Sequence, residues 1–120
     1  MKIGQLAEAA GVSTSRIRFY EKHGLVPAAT RLENGYRDYP EAMVSRLRTI
    51  TMSKALGFTL SEIRAFLPDD PSDLIARDDV RALLQTKLSN VDQQMTELKA
   101  IRQRVCDMIA YFESPDGPSC

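Results

Sequence analysis

The sequence predicts an all-α fold with a small β wing: a winged helix-turn-helix domain followed by a long coiled-coil dimerisation helix paired antiparallel. Three observations predict it. Two short amphipathic segments near the start are separated by a glycine-containing turn, an Asn34-Gly35 pair sits within a stretch rich in Tyr and Arg, and the chain from about Asp78 to Phe112 contains neither Gly nor Pro.

The first segment, Gln5 to Ala10, is short and amphipathic and ends at Gly11. Ser13 then stands where a helix N-cap belongs, opening a second helix from Thr14 to about His23 that Gly24 closes. Helix, tight turn, helix is the arrangement in which the second helix reads a DNA groove. On it Ile17 turns to the core, while Arg16, Arg18 and Lys22 project outward. Asn34-Gly35 is a type I′ turn signal, so Arg31 to Tyr39 should form a hairpin wing. Pro40 suits the first turn of a third helix running to about Leu56, with Met43, Val44, Leu47, Ile50 and Thr51 on its apolar face. Thr59-Leu-Ser-Glu62 is a capping-box pattern for a short fourth helix through Ile63, Phe66 and Leu67, which Pro68 and Pro71 stop. The expected divisions are a DNA-binding domain over 1–70, a linker over 71–77, a dimerisation helix over 78–113 and a flexible tail over 114–120.

In the long helix Leu84, Leu88, Val91, Met95, Leu98, Val105, Ile109 and Phe112 step by four and three, a seam of period 3.5 interrupted only by Arg102. Such a stripe demands a partner. No second long helix exists in the sequence, so the partner is the same helix of another subunit, and the seam by itself fits parallel or antiparallel pairing; the antiparallel form is the expected architecture.

The chain of 120 residues has no net charge, but the charge is uneven. Residues 1–60 carry nine Lys/Arg against five acids, a net +4, and residues 61–120 carry seven against eleven, a net −4. The front half is the half that can meet phosphate. No apolar stretch reaches the length of a signal h-region or a membrane span, which points to a cytoplasmic protein without a membrane partner. A single histidine, His23, and no nucleophile, acid or base motif argue against an enzyme. Two cysteines, Cys106 and Cys120, are too few for a disulfide framework or a thiolate metal site within one subunit, so no metal site is assigned and the cofactor is left open. The architecture itself, two reading helices related by a two-fold axis, calls for a roughly palindromic duplex.

The runs Ile3-Gly-Gln-Leu-Ala, Gly11-Val-Ser, Ile17-Arg-Phe-Tyr-Glu-Lys-His-Gly-Leu25, Asn34-Gly-Tyr-Arg-Asp-Tyr39 and Leu56-Gly-Phe-Thr-Leu-Ser-Glu-Ile63 resemble, in order and spacing, the MerR family of bacterial transcription regulators. The resemblance is dense over residues 1–67 and implies a homodimer on a promoter whose spacer is too long. In the effector-bound state the dimer bends and untwists that spacer so that RNA polymerase meets both recognition elements. It also implies DNA contacts from Thr14, Arg16, Arg18 and Tyr20, from Arg31, Tyr36 and Arg37 of the wing, and from Lys54.

The sensor departs from the family pattern. Metal-responsive members carry a cysteine or serine before the dimer helix and two cysteines after it, where this chain has Arg77 or its neighbours, Phe112 and Ser114. The four-cysteine iron-sulfur pattern is absent, and there is no room for a large ligand domain. Cys106 flanks the seam in apolar surroundings that keep it unreactive, whereas Cys120 is the accessible thiol through which an oxidant or soft metal would act. A small organic ligand would instead use the apolar region of Phe66, Leu67, Tyr111 and Phe112, and this second reading is favoured because a thiolate site would lack its second cysteine.

Overall fold

The computed structural model describes residues 1–113. The expected tail over 114–120 and Cys120 lie outside them. Seven elements follow in order: α1 (Ile3–Ala10), α2 (Thr14–Lys22), β1 (Thr30–Arg31), β2 (Arg37–Asp38), α3 (Ala42–Ala55), α4 (Leu60–Phe66) and α5 (Arg77–Glu113). They form two units, Met1–Ile75 and the chain from Ala76 onward.

The helix ends follow from the capping chemistry in the sequence. Gly11 takes the left-handed conformation (φ 71°) that lets α1 stop and the chain turn, and Val12 N–H returns to the Ala7 carbonyl at 3.1 Å. Ser13 Oγ accepts from Arg16 N–H at 3.1 Å and so starts α2. Thr59 and Glu62 complete a reciprocal capping box at α4, with Glu62 N–H donating to Thr59 Oγ1 at 3.1 Å and Thr59 N–H to Glu62 Oε1 at 2.9 Å.

The wing is a two-stranded antiparallel hairpin with Thr30 opposite Asp38 and Arg31 opposite Arg37. Its turn corrects the expectation of type I′. That turn needs positive φ at both Asn34 and Gly35, whereas among the described residues no non-glycine has positive φ and Gly35 alone (φ 84°) takes it here. The pairing of Leu32 N–H with the Tyr36 carbonyl (2.8 Å) leaves Glu33, Asn34 and Gly35 as a three-residue loop, closed by Gly35 N–H to the Leu32 carbonyl at 2.9 Å. This is a type I turn followed by a glycine bulge. Asn34 Oδ1 then accepts from Tyr36 N–H at 3.1 Å and steadies the bulge.

The core of the first unit is closed by Leu6, Ile17, Leu25, Tyr39, Met43, Leu47, Ile50 and Ile63, all fully buried. Helix α3 runs through its centre, rotated from the expected apolar face: Thr51 is exposed, and Arg46 and Ser53 are buried beside Met43, Leu47 and Ile50. The reason is hydrogen bonding. Arg46 Nε donates to the Leu25 carbonyl at 2.8 Å and its Nη1 donates to the Pro68 carbonyl, so one guanidinium satisfies two chain segments leaving the core. Burial pulls the Arg46 pKa below the usual guanidinium value, and Asp69 and Asp70 oppose that shift. Ser53 is neutralised in the interior by donating to the Thr49 carbonyl at 2.8 Å.

Tyr39 joins the wing to this core. The residue is 1% exposed, its N–H donates to the Met1 carbonyl at 2.8 Å, and its buried hydroxyl lies beside the Glu21 carboxylate. Burial first, and the neighbouring Glu21 second, raise the Tyr39 pKa, while Arg37 works the other way.

Two outcomes are expected. Arg46→Ala should cost about 3 kcal/mol in urea unfolding, because two hydrogen bonds to a charged donor are lost, and Arg46→Lys, which can reach one carbonyl only, should fall between. Because the folded-state pKa of Tyr39 is raised, the stability it contributes is complete below about pH 10 and is lost as pH rises through the folded value. Tyr39→Phe should therefore unfold at higher pH than the parent in alkaline titrations followed by circular dichroism.

Candidate nucleic-acid interface

Thr14, Arg16 and Arg18 occupy the first turns of α2 and are exposed. Arg18 has no hydrogen bond or ion pair among the described residues and projects into solvent. Arg16 is steered by aromatic faces, its guanidinium carbon 5.7 Å from the Phe19 ring centre and 5.9 Å from that of Tyr20. Phe19 in turn stacks against His23 at 4.3 Å, so the outer side of the helix is a packed ridge.

A cleft of about 320 Å³ brings Arg16, Tyr20 and Lys54 together with Gly11, Val12, Ser13 and Thr51. Three sequence-predicted residues thus converge from α2 and the end of α3. Tyr20 is placed differently from a surface residue: its ring is buried, 4% exposed, and it forms part of the cleft wall. Ser13 and Thr51 were not anticipated there, because Ser13 carried a cap signal and Thr51 sat on the presumed apolar face. A cleft lined by hydroxyls and two cations, open to solvent, suits a phosphate.

The wing forms a second cleft, of about 600 Å³, in which Tyr36 and Arg37 meet Lys2, Ile3, Gly4, Gln5, Glu8 and Gly35. Lys2 Nζ lies 4.8 Å from the centre of the Tyr36 ring, which sets both side chains. Arg37 Nη1 is 3.7 Å from Glu21 Oε2, a partly exposed ion pair that ties the wing to α2. Arg31 is exposed on β1 across from Arg37. Lys2 was missed by sequence reasoning, although it was counted in the basic front half and precedes α1 directly.

The structure also withdraws charge from this surface. Arg46 is buried, Arg48 Nη2 donates to the Ala9 carbonyl at 2.9 Å, and Arg64 Nη1 donates to the His23 carbonyl at 3.1 Å. The last two satisfy carbonyls at the ends of α1 and α2 that the helices leave open. Of the front-half cations, Arg46 and Arg48 are therefore structural.

The residues suggested for an effector fall into separate units. Phe66 packs edge to face on Phe58 at 5.6 Å in the first, with Leu67 half-buried beside it. In the second, Tyr111 packs edge to face on Phe112 at 5.1 Å, and Cys106 is a buried free thiol.

Arg18→Ala should cost about 1–3 kcal/mol on the preferred duplex and little on random DNA, as for a side chain that reaches a base edge. Lys54→Ala should weaken both equally and lower the salt slope by about one charge. Equal losses on both duplexes for Arg18→Ala, in fluorescence anisotropy titrations, would reassign it to the backbone.

Comparison with known proteins places this geometry. The MerR HTH family regulatory protein profile matches residues 1–70, and the MerR DNA-binding profile matches residues 44–108. The chain is 36% identical over 120 residues, all of this chain and 92% of the relative, to the HTH-type transcriptional regulator HmrR of Rhizobium leguminosarum bv. viciae. Among solved structures it resembles the transcription regulator PbrR691 from Ralstonia metallidurans CH34 in complex with lead(II), with a TM-score of 0.72 and 35% identity over 89% of this chain and 84% of that one. It also resembles HiNmlR, a MerR family regulator lacking the sensor domain, bound to promoter DNA, with a TM-score of 0.60 and 25% identity over 92% and 88% of the two chains. With both profiles matching more than half of its length and its reading helix, wing and long terminal helix in place, the chain belongs to the MerR family and is a DNA-binding transcription regulator, not an enzyme.

Proposed function

We propose that the protein acts in the cytoplasm as a homodimer on a palindromic promoter spacer and distorts that spacer to switch transcription by RNA polymerase in response to an effector. The observation that carries this reading is the pair of cationic clefts on one domain, one built on α2 and α3 and the other on the wing. Two anchoring points per subunit can grip phosphates on either side of a distorted step and offset the several kcal/mol that bending costs. Thr14, Arg16, Arg18 and Tyr20 contact DNA from α2, Arg31, Tyr36 and Arg37 from the wing, and Lys54 from α3.

Dimerisation through α5 is supported by its surface. Leu84, Leu88, Met95, Leu98, Val105, Ile109 and Phe112 are between 42% and 73% exposed in the protomer, and Val91 is half-buried. A seam of this length left in water would be costly, at roughly 25 cal/mol per Å² of apolar surface. Among the described residues no helix is long and apolar enough to cross a membrane.

For the effector, a small organic ligand is the first reading, because a thiolate site would lack its second cysteine. A soft metal acting through Cys120, with Cys106 buried nearby in sequence, is the second reading, favoured by the likeness to the lead(II)-bound PbrR691.

In vitro transcription from a promoter found by footprinting tests the whole reading. Leu98→Glu should give monomers by light scattering and lose both the footprint and activation, because a charge buried in the seam costs several kcal/mol. Activation by lead(II) that Cys120→Ser abolishes would decide for the metal, and a dimeric, active Leu98→Glu protein would overturn the function of α5.

A further inference from the structure

Helix α5 is 37 residues long, about 55 Å, and the apolar steps along it fix a heptad frame in which Arg102 takes a seam position and Asp92 and Lys99 take the same flanking position. All three side chains are exposed, and none has a hydrogen bond or ion pair among the described residues. They are therefore charges that the protomer leaves unused beside the surface it leaves uncovered. We infer that Asp92, Lys99 and Arg102 form an intersubunit ion cluster that sets the direction and register of the α5 pair and selects a second copy of this chain as its partner. The inference rests on the dimer proposed above.

Parallel pairing is disfavoured by Arg102 itself. In a parallel pair like seam positions face each other, so two guanidinium groups would meet in the most desolvated part of the interface, where like charges repel most strongly. Antiparallel pairing separates them and places each against an apolar residue of the other chain.

Two antiparallel registers, one heptad apart, bury equal numbers of apolar layers. In the first, Met95 lies opposite the partner's Leu98, Leu88 opposite the partner's Val105, and Arg102 opposite the partner's Val91. In the second, Met95 lies opposite the partner's Val105, Val91 opposite the partner's Ile109, and Arg102 opposite the partner's Leu98. Burial does not choose between them, but charge does. Flanking positions of one kind face each other across an antiparallel pair. The second register sets Lys99 against the partner's Lys99 at the two-fold axis. The first sets Lys99 against the partner's Asp92, and because Asp92 follows Val91 directly, the Arg102 guanidinium also reaches the partner's Asp92 from its seam position. The two-fold axis repeats the cluster, so each Asp92 is held between two cations. The one like-charge apposition in this register, Asp78 with the partner's Glu113, falls at the helix ends, where solvent and salt screen it.

The same logic describes the partner. A helix with the apolar seam but without an acid one residue past the Val91 level would strand Arg102 and Lys99, so the cluster discriminates against other long helices of similar hydrophobicity.

The test uses two variants of the full chain. Asp92→Arg makes the cluster all positive, and Lys99→Asp with Arg102→Asp makes it all negative. Each homodimer then repels at both copies of the cluster, and each dissociation constant should rise by roughly 30-fold or more in sedimentation velocity at low salt. An equimolar mixture should dimerise as the wild type does, because in the mixed antiparallel pair every acid again faces cations. Recovery on mixing also shows that both variants fold. If Asp92→Arg alone dimerises as tightly as the wild type, position 92 does not face the partner's cations and the register is wrong; the same conclusion follows if the mixture stays monomeric. A wild-type protein that is itself monomeric would instead overturn the dimer.

Discussion

The first unit depends on one buried cation. Arg46 reaches from the central helix to the carbonyls of Leu25 and Pro68, the points where the chain leaves α2 for the wing and leaves α4. A domain of four short helices has many helix ends for its size, and each end leaves carbonyls or amides without a helical partner. Water can satisfy those at the surface, but the Leu25 residue is 1% exposed. A guanidinium has enough donors in a fixed plane to serve two of them at once, which an ammonium or an amide in the same place does not. Arg48 and Arg64 repeat the device at the ends of α1 and α2. The helix-turn-helix is thus held at its carboxyl ends by arginines from α3 and α4, and this leaves the side chains of Thr14, Arg16 and Arg18 in the first turns of α2 exposed.

The wing is fixed by a different means. Two residues per strand are too few to hold a hairpin by themselves, so its position is set by Tyr39, whose ring is in the core, and by the Glu21–Arg37 ion pair to the reading helix. These ties place Tyr36 and Arg37 relative to α2. The Tyr39 hydroxyl lies beside the Glu21 carboxylate that also pairs with Arg37, so the base of the wing and α2 meet at one polar group of three side chains.

The second unit follows another rule. Helix α5 has Cys106 as its buried residue and carries its large apolar side chains exposed. This pattern is what supports the proposed reading of α5 as half of an interface. Its polar residues are then as informative as its apolar ones, because apolar layers can be exchanged between registers a heptad apart at little cost, whereas charges at the flanks cannot.

Element types and caps were readable from the sequence, because they are local. Ser13, Thr59 with Glu62, and Gly11 act on neighbours a few residues away, and the period of α5 needs no tertiary information at all. The proposed DNA-facing residues were named through a resemblance spread over residues 1–67, and the structure places Ser13 and Thr51 in one cleft with Arg16, Tyr20 and Lys54, and Lys2 in the other with Tyr36 and Arg37. What sequence reasoning could not supply was the fate of each charge. Arg46 and Arg16 are indistinguishable as letters, yet one is buried on two carbonyls and the other lies exposed over aromatic faces. The turn of the wing was misjudged for a related reason: Asn34-Gly35 permits two loop lengths, and the register of β1 on β2 chooses between them. Local propensity thus determined which elements form and where they end, while burial and long-range hydrogen bonding, which depend on what packs against a residue from a distant part of the chain, decided which side chains remain available for DNA.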